Sequence, residues 1–163
     1  RRPKPPLPLR ERPSVMTEAA QIKSLYNARI MELAEDIPLQ GCLEAPDATA
    51  SVRSPLCGSR ITVDLKVKDG VITDYRHVVR ACTLGQAAAS IMARHVVGKS
   101  VDVLKHVGAA LRAMLKEREP LPADIWDDLQ VLNPVQDFKS RHGSVLLSFD
   151  AVEKALDQMD AQP

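Results

Sequence analysis

Residues 61 to 79 leave the chain little local choice. Ile61, Val63, Leu65 and Val67 alternate with Thr62, Asp64, Lys66 and Lys68, the period of a strand with one buried face. Asp69-Gly70 follows directly, a pair that tolerates the positive-φ positions of a tight hairpin turn. Val71 to Val79 supplies the returning strand. With a short strand expected around Thr49 to Arg53, the pattern predicts an antiparallel sheet of about three strands.

Elsewhere the period is helical. Thr17-Glu18 starts a helix whose apolar face is Ile22, Tyr26, Ile30, Leu33 and Ile37, and Pro38 stops it. Leu84, Ala87, Ala88, Ile91, Met92 and Val96 form the next helical face, closed by Gly98. A helix from Ser100 buries Leu104, Val107, Leu111 and Met114 or Leu115, and ends at Glu119-Pro120. Residues 121–138 read as an irregular connection with a short helix around Ala123 to Leu129. The last helix carries Phe149, Val152, Leu156 and Met159. Helices follow the strands instead of alternating with them, so the expected class is α+β, a small antiparallel three-stranded sheet covered by helices on one face.

The 163 residues suit one domain. Charge is nearly balanced, 22 basic against 21 acidic residues, but unevenly distributed. Residues 1–15 hold Arg1, Arg2, Lys4, Arg10 and Arg12 against Glu11, with five of the twelve prolines. They read as a disordered Pro/Arg-rich extension, ahead of a domain over 16–163 with Met16 as its natural start. That domain has 17 basic and 20 acidic residues, which gives no electrostatic case for nucleic acid or a membrane surface. Only five aromatic residues are present, too few for single-strand binding by stacking. No apolar run is long enough to span a bilayer. Three cysteines, an odd number, make no disulfide framework for a domain of this size, and a reducing, cytoplasmic setting is expected.

Chemistry concentrates at two of those cysteines. Cys57 lies in the loop Ser54-Pro55-Leu56-Cys57-Gly58-Ser59 just before the hairpin, and Cys82 lies where the returning strand gives way to a helix. A hairpin brings its ends together, so both belong at one edge of the sheet. The amides and dipole of a helix N-terminus favour a thiolate at Cys82, and Arg80 acts in the same sense. Burial as a small hydrophobe is the commonest fate of a free cysteine, and Cys42 has no context beyond that. Two thiolates leave a tetrahedral metal site or a [2Fe-2S] cluster short of ligands. His77, His142, Asp64, Asp74 and Ser59 are candidates to complete it, none at a recognisable ligand spacing. His95 and His106 fall on helices, where solvated or capping roles are expected. Phosphate loops, nucleophile elbows and HExxH motifs are missing.

The run from Ser54 to Ser59, the hairpin, then Ala81-Cys82-Thr83-Leu84-Gly85-Gln86-Ala87-Ala88-Ala89-Ser90 and Val97-Gly98-Lys99-Ser100, resembles the iron-sulfur cluster scaffold family of IscU, SufU and the NifU N-terminal domain. The resemblance runs from about Ala19 to Met159. It implies that three cysteines and an aspartate hold a nascent cluster or zinc, and that sulfur comes from a cysteine desulfurase. The family's first cysteine, in Pro-x-Cys-Gly-Asp, falls on Cys57, and its second, in Gly-Cys, on Cys82. The stretch between Cys82 and the last helix looks like the insertion of the SufU subgroup, which lacks the chaperone-binding Leu-Pro-Pro-Val-Lys segment, as this chain does.

Departures are as specific as matches. The family aspartate is Ser59 here, the glycine before the second cysteine is Ala81, and the third cysteine, in Arg-x-Lys-Cys, falls on Ser144 of Arg141-His142-Gly143-Ser144. A neutral serine hydroxyl is a poor ligand for iron or zinc beside a thiolate. His142 is close in sequence to the vacant position, but each residue of shift turns a helical side chain by about 100°. The leading expectation is therefore a scaffold or sulfur acceptor that binds a labile cluster or zinc through Cys57 and Cys82, with His142 as an added metal donor and Ser59 and Ser144 as degenerate ligand positions. A homodimer would bring four thiolates to a bridged cluster. Expected partners are a cysteine desulfurase and apo iron-sulfur target proteins. Two alternatives stand beside it: a scaffold-fold module that docks on a desulfurase or target without a cluster, and metal-free sulfur transfer with persulfide on Cys82.

Overall fold

The computed structural model describes residues 2–5, 18–56 and 58–160. Helices α1 (Glu18–Leu25) and α2 (Ala28–Glu35) precede strands β1 (Ala48–Arg53), β2 (Arg60–Lys68) and β3 (Val71–Arg80). Helices α3 (Thr83–His95) and α4 (Val101–Glu117), a 3-10 helix (Asp127–Asp137) and helix α5 (Lys139–Asp160) complete the chain. Residues 2–5 carry neither helix nor strand; the rest of the anticipated extension and the Met16 start lie outside the described residues.

The sheet has the order β1-β2-β3, antiparallel throughout. Asp69 (φ 52°) and Gly70 (φ 75°) make the hairpin turn that their sequence predicts. The register shifts once, between Lys66 and Val67. Ile61, Val63 and Leu65 are buried on one face, against α5, which packs on β1 and β2, while α3 packs beside β3. Fully buried Tyr75, Ile91, Leu111 and Phe149 tie sheet and helices into one core. Among the described residues, no helix is long and apolar enough to cross a membrane.

Two expectations needed correction. The single amphipathic helix up to Pro38 is in fact α1 and α2, because the Asn27 side chain accepts the Ile30 N–H at 3.0 Å and caps a new helix. A short Asn side chain competes with continued helical bonding in this way. The short helix expected around Ala123 to Leu129 is a longer, later 3-10 segment, with Pro134 inside it, where a missing N–H bars a regular helical ladder.

Candidate functional site

Strand register builds the site from below. Arg53 pairs with Arg60, and Arg60 with Arg80, so all three strands end at one edge of the sheet. The loop between β1 and β2 folds back on itself there: the Ser54 N–H donates to the Ser59 carbonyl at 2.7 Å, and the Gly58 N–H to the Ser54 carbonyl at 3.0 Å. Gly58 has φ +71°, a conformation costly for side-chain-bearing residues. Cys57 itself lies outside the described residues. Its flanks, Leu56 and Gly58, belong to a loop rooted at the edge from which Ala81 and Cys82 leave β3, the juxtaposition that hairpin topology predicts.

Cys82 is the N-cap residue of α3, with extended backbone (φ −66°, ψ 169°) and its carbonyl accepting the Gln86 N–H at 2.9 Å. The Gln86 amide donates to the Ala81 carbonyl at 2.9 Å and holds the approach to the helix. Cys82 Sγ, half-buried, lies 2.9 Å from Ser144 Oγ on α5, and Ser144 is 1% exposed. That closeness depends on Gly85: a Cβ there would stand 2.7 Å from Ser144 Oγ and 2.8 Å from Ala81 Cβ. One residue back along α5, a Cβ at Gly143 would stand 3.3 Å from Ser54 Oγ. The first turns of α5 are thus wedged between the 54–59 loop and α3.

The other candidates are committed elsewhere. His142, 7% exposed, bonds the Val135 carbonyl through Nε2 at 2.9 Å; a carbonyl only accepts, so Nε2 carries the proton. Through this bond it anchors the 3-10 segment to α5. Asp64 accepts the Leu43 N–H at 2.9 Å and the Thr49 hydroxyl at 2.8 Å. His77 is fully buried and donates from Nε2 to the Pro38 carbonyl at 2.8 Å; burial lowers its pKa. Asp74 takes the Tyr75 N–H and Arg76. His95 stacks on Trp126 with centroids 4.7 Å apart and bonds Asp128, which lowers the Asp128 pKa. His106 reaches Asp124 at 3.7 Å, and Cys42 is exposed. Ser59 is buried at the foot of the loop.

Among the described residues, no cluster of three or more His, Cys, Asp or Glu side chains is placed to hold a metal ion. Among the described residues, the donors in contact at Cys82 are its own thiol and the Ser144 hydroxyl, and those two alone fall short of the four ligands of a [2Fe-2S] cluster or a structural zinc. Gly85 and Ser54 carry no local signal of their role, which arises only where the helices and the loop pack together. A cavity of about 570 Å³ adjoins the site between the 54–56 loop, α4 and α5, with Leu115, Lys116, Lys139 and His142 in its wall.

Comparisons with known proteins agree with this architecture. Residues 25–144 match the NifU-like N terminal domain. The zinc-dependent sulfurtransferase SufU of Bacillus subtilis is 24% identical over 141 residues, covering 86% of this chain and 95% of that protein. The iron-sulfur cluster assembly scaffold protein IscU of Thermotoga maritima is 23% identical over 140 residues, covering 82% and 94%. Among solved structures, the N-terminal part of a nitrogen-fixing NifU-like protein from Brucella abortus superposes with a TM-score of 0.85 at 46% identity, over 88% of this chain and 99% of that one. A putative SUF-system scaffold from Fervidobacterium islandicum superposes with a TM-score of 0.77 at 18% identity, over 82% and 97%, a likeness of fold.

Proposed function

This chain belongs to the NifU-like N-terminal domain family of iron-sulfur cluster assembly scaffolds, and from that premise we propose that it accepts sulfur on Cys82 from the persulfide of a cysteine desulfurase. The observation that carries this reading is the 2.9 Å contact between Cys82 Sγ and Ser144 Oγ. It supports the assignment of residue 144 to the family's third cysteine, because a side chain there faces the second. In this chain the facing group is a hydroxyl, so the thiol has a hydrogen-bonding neighbour where a co-ligand would stand.

The step is thiol-persulfide exchange. Cys82 as thiolate attacks the outer sulfur of the donor persulfide, a new S–S bond forms at Cys82, and the desulfurase cysteine leaves as thiolate. No oxidant or reductant is consumed. Cys82 stands at the N-cap of α3, half-buried at the sheet edge. Gly85 lets α5 approach closely enough to supply the Ser144 hydroxyl. The accepted sulfur then passes to apo iron-sulfur targets or to a cluster. A cluster as cargo draws its thiolates from Cys57 and Cys82 of two protomers, because the other two ligand positions of the family are Ser59 and Ser144 in this chain.

The test uses radiolabelled cysteine, a cysteine desulfurase and this protein, resolved under non-reducing conditions. Label is expected on the wild type and on Cys42→Ser, and not on Cys82→Ser. Equal labelling of Cys82→Ser would overturn the assignment.

A further inference from the structure

The strand ends beside Cys82 carry a charge arrangement that the fold does not need. Arg53, Arg60 and Arg80 are direct register partners across all three strands, so their side chains leave the same face of the sheet. It is the face opposite the buried Ile61. All three are exposed, and among the described residues none is paired with a carboxylate. Like charges directly opposite one another destabilise a sheet, and here two such pairs sit side by side. The acids nearest along that face are engaged: Asp64 by Leu43 and Thr49, and Asp74 by Tyr75 and Arg76. The next row toward the sheet centre is Ser51, Thr62 and Val78. Its two hydroxyls bond each other at 2.6 Å, and Val78 is 39% exposed.

We propose that Arg53, Arg60 and Arg80, with Val78 beside them, dock a short acidic segment of a protein partner against the edge that holds Cys82. Strands lie about 4.8 Å apart, so the row spans about 10 Å, and an extended segment rising about 3.3 Å per residue meets it with carboxylates two or three positions apart. Arginine suits this occupant because its planar fork binds a carboxylate with two parallel hydrogen bonds. A long nucleic acid is a poorer match, since the row is short and residues 16–163 carry more acidic than basic groups. A small anion is poorer too, because none of the three arginines lines the cavity beside the site. The docking contact does not depend on sulfur reaching Cys82, so the two readings fail separately.

The probe is a hexaglutamate peptide titrated into isotope-labelled full-length protein, followed by amide chemical shifts. Shifts are expected on residues 51–53, 60–62 and 78–80, vanishing in about 1 M salt, where the screening length falls to about 3 Å. They should also vanish in the Arg53→Ser/Arg60→Ser/Arg80→Ser variant. Removing facing like charges should raise, not lower, the midpoint of that variant's thermal unfolding, which separates lost binding from lost folding. The single variant Arg60→Ser, which breaks both pairs, should weaken the shifts and raise the midpoint in the same sense. Absent shifts, shifts centred elsewhere, shifts retained in the triple variant, or tighter binding of a short DNA duplex or inorganic polyphosphate than of the peptide would each overturn the proposal.

Discussion

Replacing Gly85 by alanine tests the packing that brings Ser144 to Cys82. Alanine in a helix normally gains about 0.5–1 kcal/mol over glycine. Here the added methyl would stand 2.7 Å from Ser144 Oγ, 2.8 Å from Ala81 Cβ and 3.2 Å from the Ser144 carbonyl oxygen. The hydroxyl can rotate away, but the Ala81 methyl and the α5 backbone move only with their helices. Overpacking of this kind costs about 1–3 kcal/mol, so the net expectation is destabilisation by up to about 2.5 kcal/mol. Urea unfolding with an unchanged slope measures it. In a Ser144→Ala background the nearest obstacle is gone, and the cost should shrink by about 0.5 kcal/mol or more, a coupling typical of touching residues. Stabilisation by Gly85→Ala, or a cost identical in both backgrounds, would refute the packing account of this site.

Restoring the family donors with Ser59→Asp/Ser144→Cys, under reducing conditions, should raise zinc affinity over wild type by at least about tenfold, about 1.4 kcal/mol, measured by competition with a chromogenic chelator; unchanged affinity would mean that residue 144 does not face the Cys82 thiol. His77 sets a pH dependence. Burial lowers its pKa from the usual 6.5, so the unfolded chain binds the proton more tightly than the folded one. Its contribution to stability is present above pH 6.5 and lost as the pH falls below it. Chemical denaturation across that range should show a flatter slope for His77→Gln, and an identical slope would exclude this origin. Asn27→Ala removes the cap that starts α2 and should destabilise the protein by about 1 kcal/mol in the same assay.

The elements legible in the sequence were those governed by short-range rules. Alternation from Ile61 to Val67 and the Asp69-Gly70 pair dictated the hairpin, and with it the placing of the 54–59 loop and Cys82 at one edge. Cys82 as the residue opening α3 followed from the switch of period after the hairpin, and Gly98 beyond the helix from capping chemistry. The break at Asn27 was missed because its apolar spacing continued across the capping residue. The contact between Cys82 and Ser144 lies 62 positions apart in the chain, and no local pattern specifies which turn of α5 faces α3; only the family resemblance pointed to residue 144. His142 illustrates the converse. Its proximity in sequence suggested a donor, but its position on the helix commits it to the Val135 carbonyl. The arginine row was invisible for a related reason, since three separate residues become neighbours only through strand register.

The central claim is that Cys82 takes sulfur. After incubation with a cysteine desulfurase and cysteine, alkylation and proteolysis, peptide mass spectrometry should find one added sulfur on the Cys82 peptide. The Cys42 peptide should show none, and Cys82→Ser should lose the adduct. Sulfur carried on Cys57 alone, with Cys82 unmodified, would contradict the account.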